Sequence, residues 1–225
     1  MSSGNQELPK RYVCKPAVRI SGNGPTGDEA WQSVDWSRCE AVSLFDTVTG
    51  EAVREPTEVR ACWHSDYVFI QFRCTDRHIV SRFEEHDDPL YEQDVVEVFI
   101  DDRAEGGVSY VELEVSPRNV VFDARIWNDG SGHVTGRDIA WNMEGLRTEV
   151  LEGEHMLMYL LAVPTAHFSR KPEPGASWLV NFYRIDENAE GIREFQAWSP
   201  TGAINFHMPS RFGELIFEDH ESIDE

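Results

Sequence analysis

The chain has 225 residues, 40% hydrophobic and 11% aromatic, enough to bury a sizeable core in one large domain or two small ones. It carries 41 Asp and Glu against 20 Lys and Arg, a formal net charge of -21. A surface of that sign repels phosphate backbones and anionic lipids, which argues against nucleic acid or a membrane as partner; it suits solubility, or a bound hard cation such as Ca²⁺.

The segment 1–11 is polar and loose, without the apolar core of a secretory leader. A cytoplasmic location is the default expectation, and secretion the alternative if a leader preceded this sequence. No apolar run is long enough to span a bilayer. Tyr12 to Ile20 alternates loosely and reads as an outer strand. Ser21 to Asp28 has loop composition, and Glu29 to Trp31 suits a short helical turn. Glu58 to Trp63 alternates with Val59, Ala61 and Trp63 on one face. His64-Ser65-Asp66 turns the chain, and Tyr67 to Cys74 returns with Val68, Ile70, Phe72 and Cys74 on one face. A polar connection, Asp76 to Asp88, leads to a strand over 95–101, followed by a turn at Arg103 to Gly107. Ser109 to Ser116 and Asn119 to Trp127 read as two further strands, and Asn128 to Gly136 as a loop. Trp141 to Val150, Glu154 to Val163 and Trp178 to Ile185 follow as strands, then a closing strand at Leu215 to Phe217. Many short strands and no long amphipathic helix predict an all-β fold, an antiparallel β-sandwich of jelly-roll type with few helical turns. Residues 12–218 form one domain on this reading, with an acidic tail at 219–225.

Cys14, Cys39, Cys62 and Cys74 show neither a C-x-x-C pair nor zinc spacing. Free thiols are the default expectation, a disulfide the alternative.

The strand over 95–101 is the most telling. Val96, Val98 and Ile100 alternate with Val95, Glu97 and Phe99, which sets a carboxylate among apolar neighbours. Burying it unpaired costs several kcal/mol or more, so Glu97 is either paired or on a wet concave surface. Tyr110, Glu112 and Glu114 share a face of the next strand, and Asp123 and Arg125 share a face of the one after. If these strands are neighbours, the charges can converge on one side of one sheet, as a binding face or as an ordinary solvated face. Tyr91, Trp127, Tyr183, Trp198 and Phe206 lie near strand ends or loops, where aromatic faces can stack on sugar rings; core packing is the alternative for each. Asp101-Asp102 is a candidate Ca²⁺ ligand pair or a solvated turn. There is no G-x-S-x-G, H-E-x-x-H, Walker or dinucleotide motif, and the eight His lack metal-ligand spacing.

A set of motifs in a fixed order carries a family resemblance. It runs from Ile20-Ser21-Gly22 and Asp28-Glu29-Ala30-Trp31 through Val59-Arg60-Ala61-Cys62-Trp63 to Tyr91–Asp101 and Tyr110–Val115. It continues in Trp178–Ile185, Trp198-Ser199-Pro200-Thr201 and Asn205–Gly213. Over roughly Pro16 to Phe217 the chain resembles the family 9 carbohydrate-binding modules, found in xylanases and as stand-alone proteins. The resemblance implies a β-sandwich with structural calcium and two aromatic jaws that clamp a sugar. The jaws fall on Tyr91 and Phe206, where xylanase members carry Trp. The family's sheet-face carboxylate falls on Glu97, a family Arg on Glu114 and a family Gln on Tyr183. The expected function is non-catalytic binding of a mono- or oligosaccharide in polysaccharide catabolism, with xylan and other glycans as the family's context. Tyr91 and Phe206 would sandwich a ring, and Glu97, Glu114, Arg125, Asn181 and Tyr183 would bond its hydroxyls. An alternative is a glycoside hydrolase or lyase using Glu97 and Glu114, or Glu112, across a cleft. A third reading is a haem-binding sandwich with His207 or Met208 as axial ligand.

Overall fold

The computed structural model describes residues 9–18, 33–104 and 109–219. The expected helical turn at 29–31, and most of the turn at 103–107 and of the acidic tail, lie outside the described residues. The described residues form fourteen strands and only short 3-10 turns, so the all-β expectation holds.

The strands make two layers. In the back layer, β10 (Arg147–Gly153), β11 (Met156–Pro164), β5 (Tyr67–Thr75) and β4 (Thr57–His64) run antiparallel, with the short β2 (Val42–Ser43) on β4. In the front layer the order is β14 (Gly213–Phe217), β12 (Ser177–Glu187), β6 (Val95–Asp101), β7 (Ser109–Val115), β8 (Val121–Asn128) and β9 (Val134–Asp138). β13 (Arg193–Ala197) also pairs with β12, and β3 (Phe45–Asp46) pairs with β13.

β1 (Arg11–Pro16) joins the layers. Its first half runs parallel to β14, and Lys15 and Pro16 pair with Cys62 and Trp63 of β4. It is therefore a central bridge rather than the outer strand its loose alternation suggested. Tyr12 and Cys14 point inward and are fully buried, and the Tyr12 hydroxyl accepts a 2.7 Å bond from the Ala61 amide.

The main core lies between the layers. Val59, Ala61 and Trp63 of β4 and Val68, Ile70, Phe72 and Cys74 of β5 meet Val96, Val98 and Ile100 of β6 and Trp178, Val180 and Phe182 of β12. Here the period-two alternation of the sequence maps directly onto a sheet face. The outer face of the front sheet carries a second apolar cluster, with Phe99, Tyr110, Phe122, Ile126, Tyr183 and Ile185 packed beneath Leu90, Phe206 and Phe212. Every residue of β6 is consequently buried.

All four cysteines are free thiols. Cys62 and Cys74 do lie on adjacent strands, but Cys62 pairs with Phe69 and Cys74 with Thr57, far apart in register.

Candidate functional site

Antiparallel pairing places directly opposed residues on the same face. Glu97 of β6 opposes Glu114 of β7 on one side and Tyr183 of β12 on the other. Glu112 lies two residues along β7, opposite Phe99. All four acidic and phenolic side chains thus point to the outer face of the front sheet, as the alternation predicted. The same register removes Arg125 from this set. Asp123 opposes Leu113 and Arg125 opposes Val111, so both project to the inter-layer side. Arg125 packs over the Trp141 ring with its charge 4.8 Å from the ring centre, and its guanidinium donates to the His167 carbonyl.

A cavity of about 610 Å³ opens on the outer face. Glu97, Phe99 and Glu112 form its floor, and Phe122, Ile185, Phe195 and Phe206 contribute apolar wall. Tyr91, Ile139 and Ile204 stand at its rim, 47%, 52% and 65% exposed, unusual for large apolar side chains. Arg137, Arg193, Asn205 and His207 supply hydrogen-bonding groups. A larger hollow of about 830 Å³, walled by Lys10, Phe45, Pro200 and Arg211 among others, gathers no buried acid. Apolar wall combined with convergent polar groups favours the smaller cavity as the binding site.

Both expected jaws, Tyr91 and Phe206, reach this cavity, although they are far apart in sequence. Tyr91 sits in the 3-10 turn Leu90–Glu92, and its carbonyl accepts from the Arg193 guanidinium. Phe206 stacks on Tyr183 at 4.1 Å between ring centres and 12° between planes, which occupies one face of its ring. The Tyr183 hydroxyl donates to the Phe206 carbonyl at 2.9 Å. Asn181 gives its amide N–H to the Ser199 carbonyl at 2.8 Å and accepts from the Ser199 amide at 2.9 Å. Tyr183 and Asn181 are fully buried, with these bonds committed to the 199–206 segment. They hold that segment in place and do not line the cavity. Glu114 is likewise fully buried, behind the floor.

The electrostatics of the floor are set by desolvation. Glu97, Glu112 and Glu114 offer carboxylate oxygens that all lie within 4.8 Å of one another. Burial, then the charge of Glu112, pushes the Glu97 carboxyl well above the ordinary range, against the pull of Arg193. Burial raises Glu112 to about 7, with Arg137 opposing. Burial and its two acidic neighbours raise Glu114. His207 is lowered to about 4 by burial and by Arg137, so its ring is neutral near pH 7. Its Nδ1 shares a 2.8 Å hydrogen bond with the Tyr110 hydroxyl, the ring packs on Phe99, and its Nε2 lies 3.9 Å from Glu112.

The Asp101-Asp102 pair is tied into the local backbone, with Asp101 Oδ2 left buried and without a hydrogen-bond partner among the described residues. One Asp102 oxygen accepts from the Ser169 and Arg170 amides and the other from Ala104, while Asp101 accepts from the Arg103 amide. Asp102 is thus an anchor for the 169–170 loop. A second acidic group, Asp76, Asp94 and Asp186, surrounds a buried guanidinium. Arg184 bonds Asp76 at 3.1 Å and also Asp186, and the Val80 and Glu187 amides satisfy Asp94. A cation is therefore already built into that group.

The glycosidase alternative needs two carboxyls facing each other across a bound sugar. Glu97 and Glu114 are instead side by side on one sheet face, with Glu114 outside the cavity lining; Glu97 and Glu112 both line the cavity, but from that same face, with carboxylate oxygens within 4.8 Å of each other.

Several site residues escaped the sequence reading. Arg193 and Phe195 lie on β13, whose five residues Arg-Glu-Phe-Gln-Ala give almost no strand signal. Arg137 lies on β9, whose Thr-Gly-Arg-Asp composition reads as loop. Ile139 and Ile204 stand in irregular connections, each two residues before an aromatic, Trp141 and Phe206.

An all-β sandwich with a lined cavity on the outer face of one sheet defines the class of protein. The sequence matches the family described as carbohydrate family 9 binding domain-like over residues 23–220, and the chain belongs to that family. A chain described as an extracellular protein from Arthroderma benhamiae is 25% identical over 190 residues, covering 79% of this chain and 86% of that one. Among solved structures, a family 9 carbohydrate-binding module from Caldicellulosiruptor kristjanssonii in complex with cellotriose superimposes with a TM-score of 0.66 at 15% identity, covering 96% of this chain and 97% of that one. The same organism's family 9 module in complex with glucose gives 0.63 at 15% identity, covering 96% and 100%. A protein from Bacteroides uniformis proposed to bind carbohydrate gives 0.73 at 19% identity, covering 94% and 100%.

Proposed function

We propose that this chain binds a mono- or oligosaccharide, without chemically altering it, in the cavity on the outer face of the front sheet. One observation carries the reading: Tyr91 and Phe206, widely separated in sequence, both line a cavity whose floor presents Glu97 and Glu112. Aromatic and aliphatic surface suits the C–H faces of a sugar, and carboxyl, guanidinium and amide groups suit its hydroxyls. Arg137 and Arg193 take the donor role expected of Arg125. The family membership and the sugar complexes of structurally similar modules support the same class of ligand.

Titration calorimetry with glucose, cellotriose and xylo-oligosaccharides tests it. The wild-type chain binds at least one of them, and Tyr91→Ala or Phe206→Ala weakens that binding by about tenfold or more, the loss of one stacking contact and its buried area. Unchanged affinity in both variants would remove the site from this cavity. Absence of binding to every sugar would remove the function.

A further inference from the structure

Three carboxyls facing one another inside a fold are unusual, because mutual repulsion and desolvation both oppose their ionisation. Glu97 and Glu114 are 2% and 0% exposed and directly opposed across β6 and β7, and Glu112 beside them is 6% exposed. Glu97 Oε1 has no hydrogen-bond partner among the described residues. Two guanidiniums approach from the sides. Arg193 is held by the Tyr91 carbonyl and packs over the Phe195 ring, while Arg137 faces Glu112. Neither forms an ion pair with the three acids at contact distance among the described residues. The floor of the cavity is thus an acidic socket of Glu97 and Glu112, with Glu114 behind it and the rings of Phe99, Phe122 and Phe206 around it; its carboxyls are held largely protonated until a cation arrives.

We infer that this socket receives an ammonium group, and that the preferred ligand is an amino sugar with a free, protonated amine. The inference rests on the sugar-binding reading and narrows its ligand. An ammonium offers three N–H donors from one compact charge, whereas a hydroxyl offers a single donor and no charge. Charge-assisted bonds to carboxylates are roughly twice as strong as neutral ones. Aromatic faces beside the acids add attraction for a cation. Those same rings favour an organic cation over a metal ion, whose remaining coordination positions they cannot fill. An amide-capped amino sugar has lost both the charge and two of the donors, so the socket distinguishes it from the free amine.

Calorimetry compares glucose, glucosamine and N-acetylglucosamine, and the corresponding short β-linked oligomers, at about pH 6, where the amine is charged. Glucosamine or its oligomer binds at least about tenfold tighter than the neutral counterparts. Repeating the titration in two buffers of different ionisation enthalpy shows proton release on binding of the amine, as the socket carboxyls ionise against it. Glu97→Gln and, separately, Glu112→Gln reduce the ratio of amine to neutral affinity towards one; two near-isosteric variants guard against misfolding of either. Neutral sugars that bind as tightly as the amine overturn this inference and leave the sugar-binding function standing. If no sugar of any kind binds, both fall together. Calcium that binds the wild-type chain, is lost in Glu97→Gln and is required for neutral-sugar binding assigns the acids to a metal and overturns the inference.

Discussion

Gly213 opens β14 where the indole of Trp198 crosses the backbone. A methyl group at this position would sit 2.2 Å and 2.5 Å from two indole carbons and 3.0 Å from the Lys10 carbonyl. Trp198 is itself buried, wedged edge-on against Tyr12 and tilted against Phe182, so it has nowhere to retreat. Gly213→Ala is expected to cost about 1–3 kcal/mol through overpacking, read as a lower midpoint in urea denaturation with an unchanged slope. The same contact shows what one residue reveals in sequence. Trp198 sits in an irregular segment and invites a reading as a ligand platform, yet only the glycine lying opposite makes it a core plug. Glu97 is the contrary case. Its alternation within β6 announced a carboxylate in an apolar setting, and it is nearly fully buried there. Arg125 was misread because the face it occupies depends on the register of β7 with β8, which periodicity along one strand does not contain.

At the scale of elements, Arg184 ties β12 to the back layer. Its Nη1 donates to the Thr75 carbonyl at 2.7 Å, the Thr57 hydroxyl at 3.2 Å and the Glu55 carbonyl at 3.3 Å, and its Nη2 reaches Asp76 and Asp186. A single fork therefore satisfies the edges of β4 and β5 and neutralises acids from two layers. Arg184→Met removes the cation and leaves Asp76 and Asp186 buried against each other. The expected loss is about 3–5 kcal/mol of stability, the usual result of breaking one side of a buried ion pair. The triple variant with both aspartates changed to Asn recovers much of it, and a deficit that persists undiminished in the triple variant would show that packing, not charge, sets the cost. Elements differ in how well the sequence displays them. β6 was legible to the residue because Val96, Val98 and Ile100 alternate with Val95 and Phe99 and polar segments bound it. β9 and β13 were not, since strands of five residues at an edge or crossing gain their stability from neighbours rather than from β-propensity.

On the scale of the whole molecule, buried acids give stability a definite pH dependence. Glu112 and Asp94 titrate at about 7 and Asp186 at about 6, each raised chiefly by burial. These folded-state values exceed those of an unfolded carboxyl, so between roughly pH 4 and 7 the folded chain holds more protons than the unfolded one. Stability is then greatest near the acidic end of that window and falls as pH rises through it. The large negative charge of the chain adds repulsion in the same direction. The melting temperature at about pH 8 is expected to lie on the order of 5 °C or more below that at about pH 5.5, with a shallower difference in Glu112→Gln. A melting temperature that climbs over this range would contradict the burial of these carboxyls in ionisable form.

The bridging strand has a consequence for how the molecule is made. β1 and β14 are joined by parallel pairing from Arg11 with Glu214 to Cys14 with Phe217, and the Arg11–Glu214 ion pair spans 203 positions. During synthesis β1 leaves the ribosome some two hundred residues before β14, so the seam between the layers stays open while the hairpins on either side assemble. Closing it joins the most distant parts of the described chain and carries the largest loop entropy of any contact here. Cutting the chain in a surface loop while linking β14 back to β1 near this seam would let the two strands dock early instead of last.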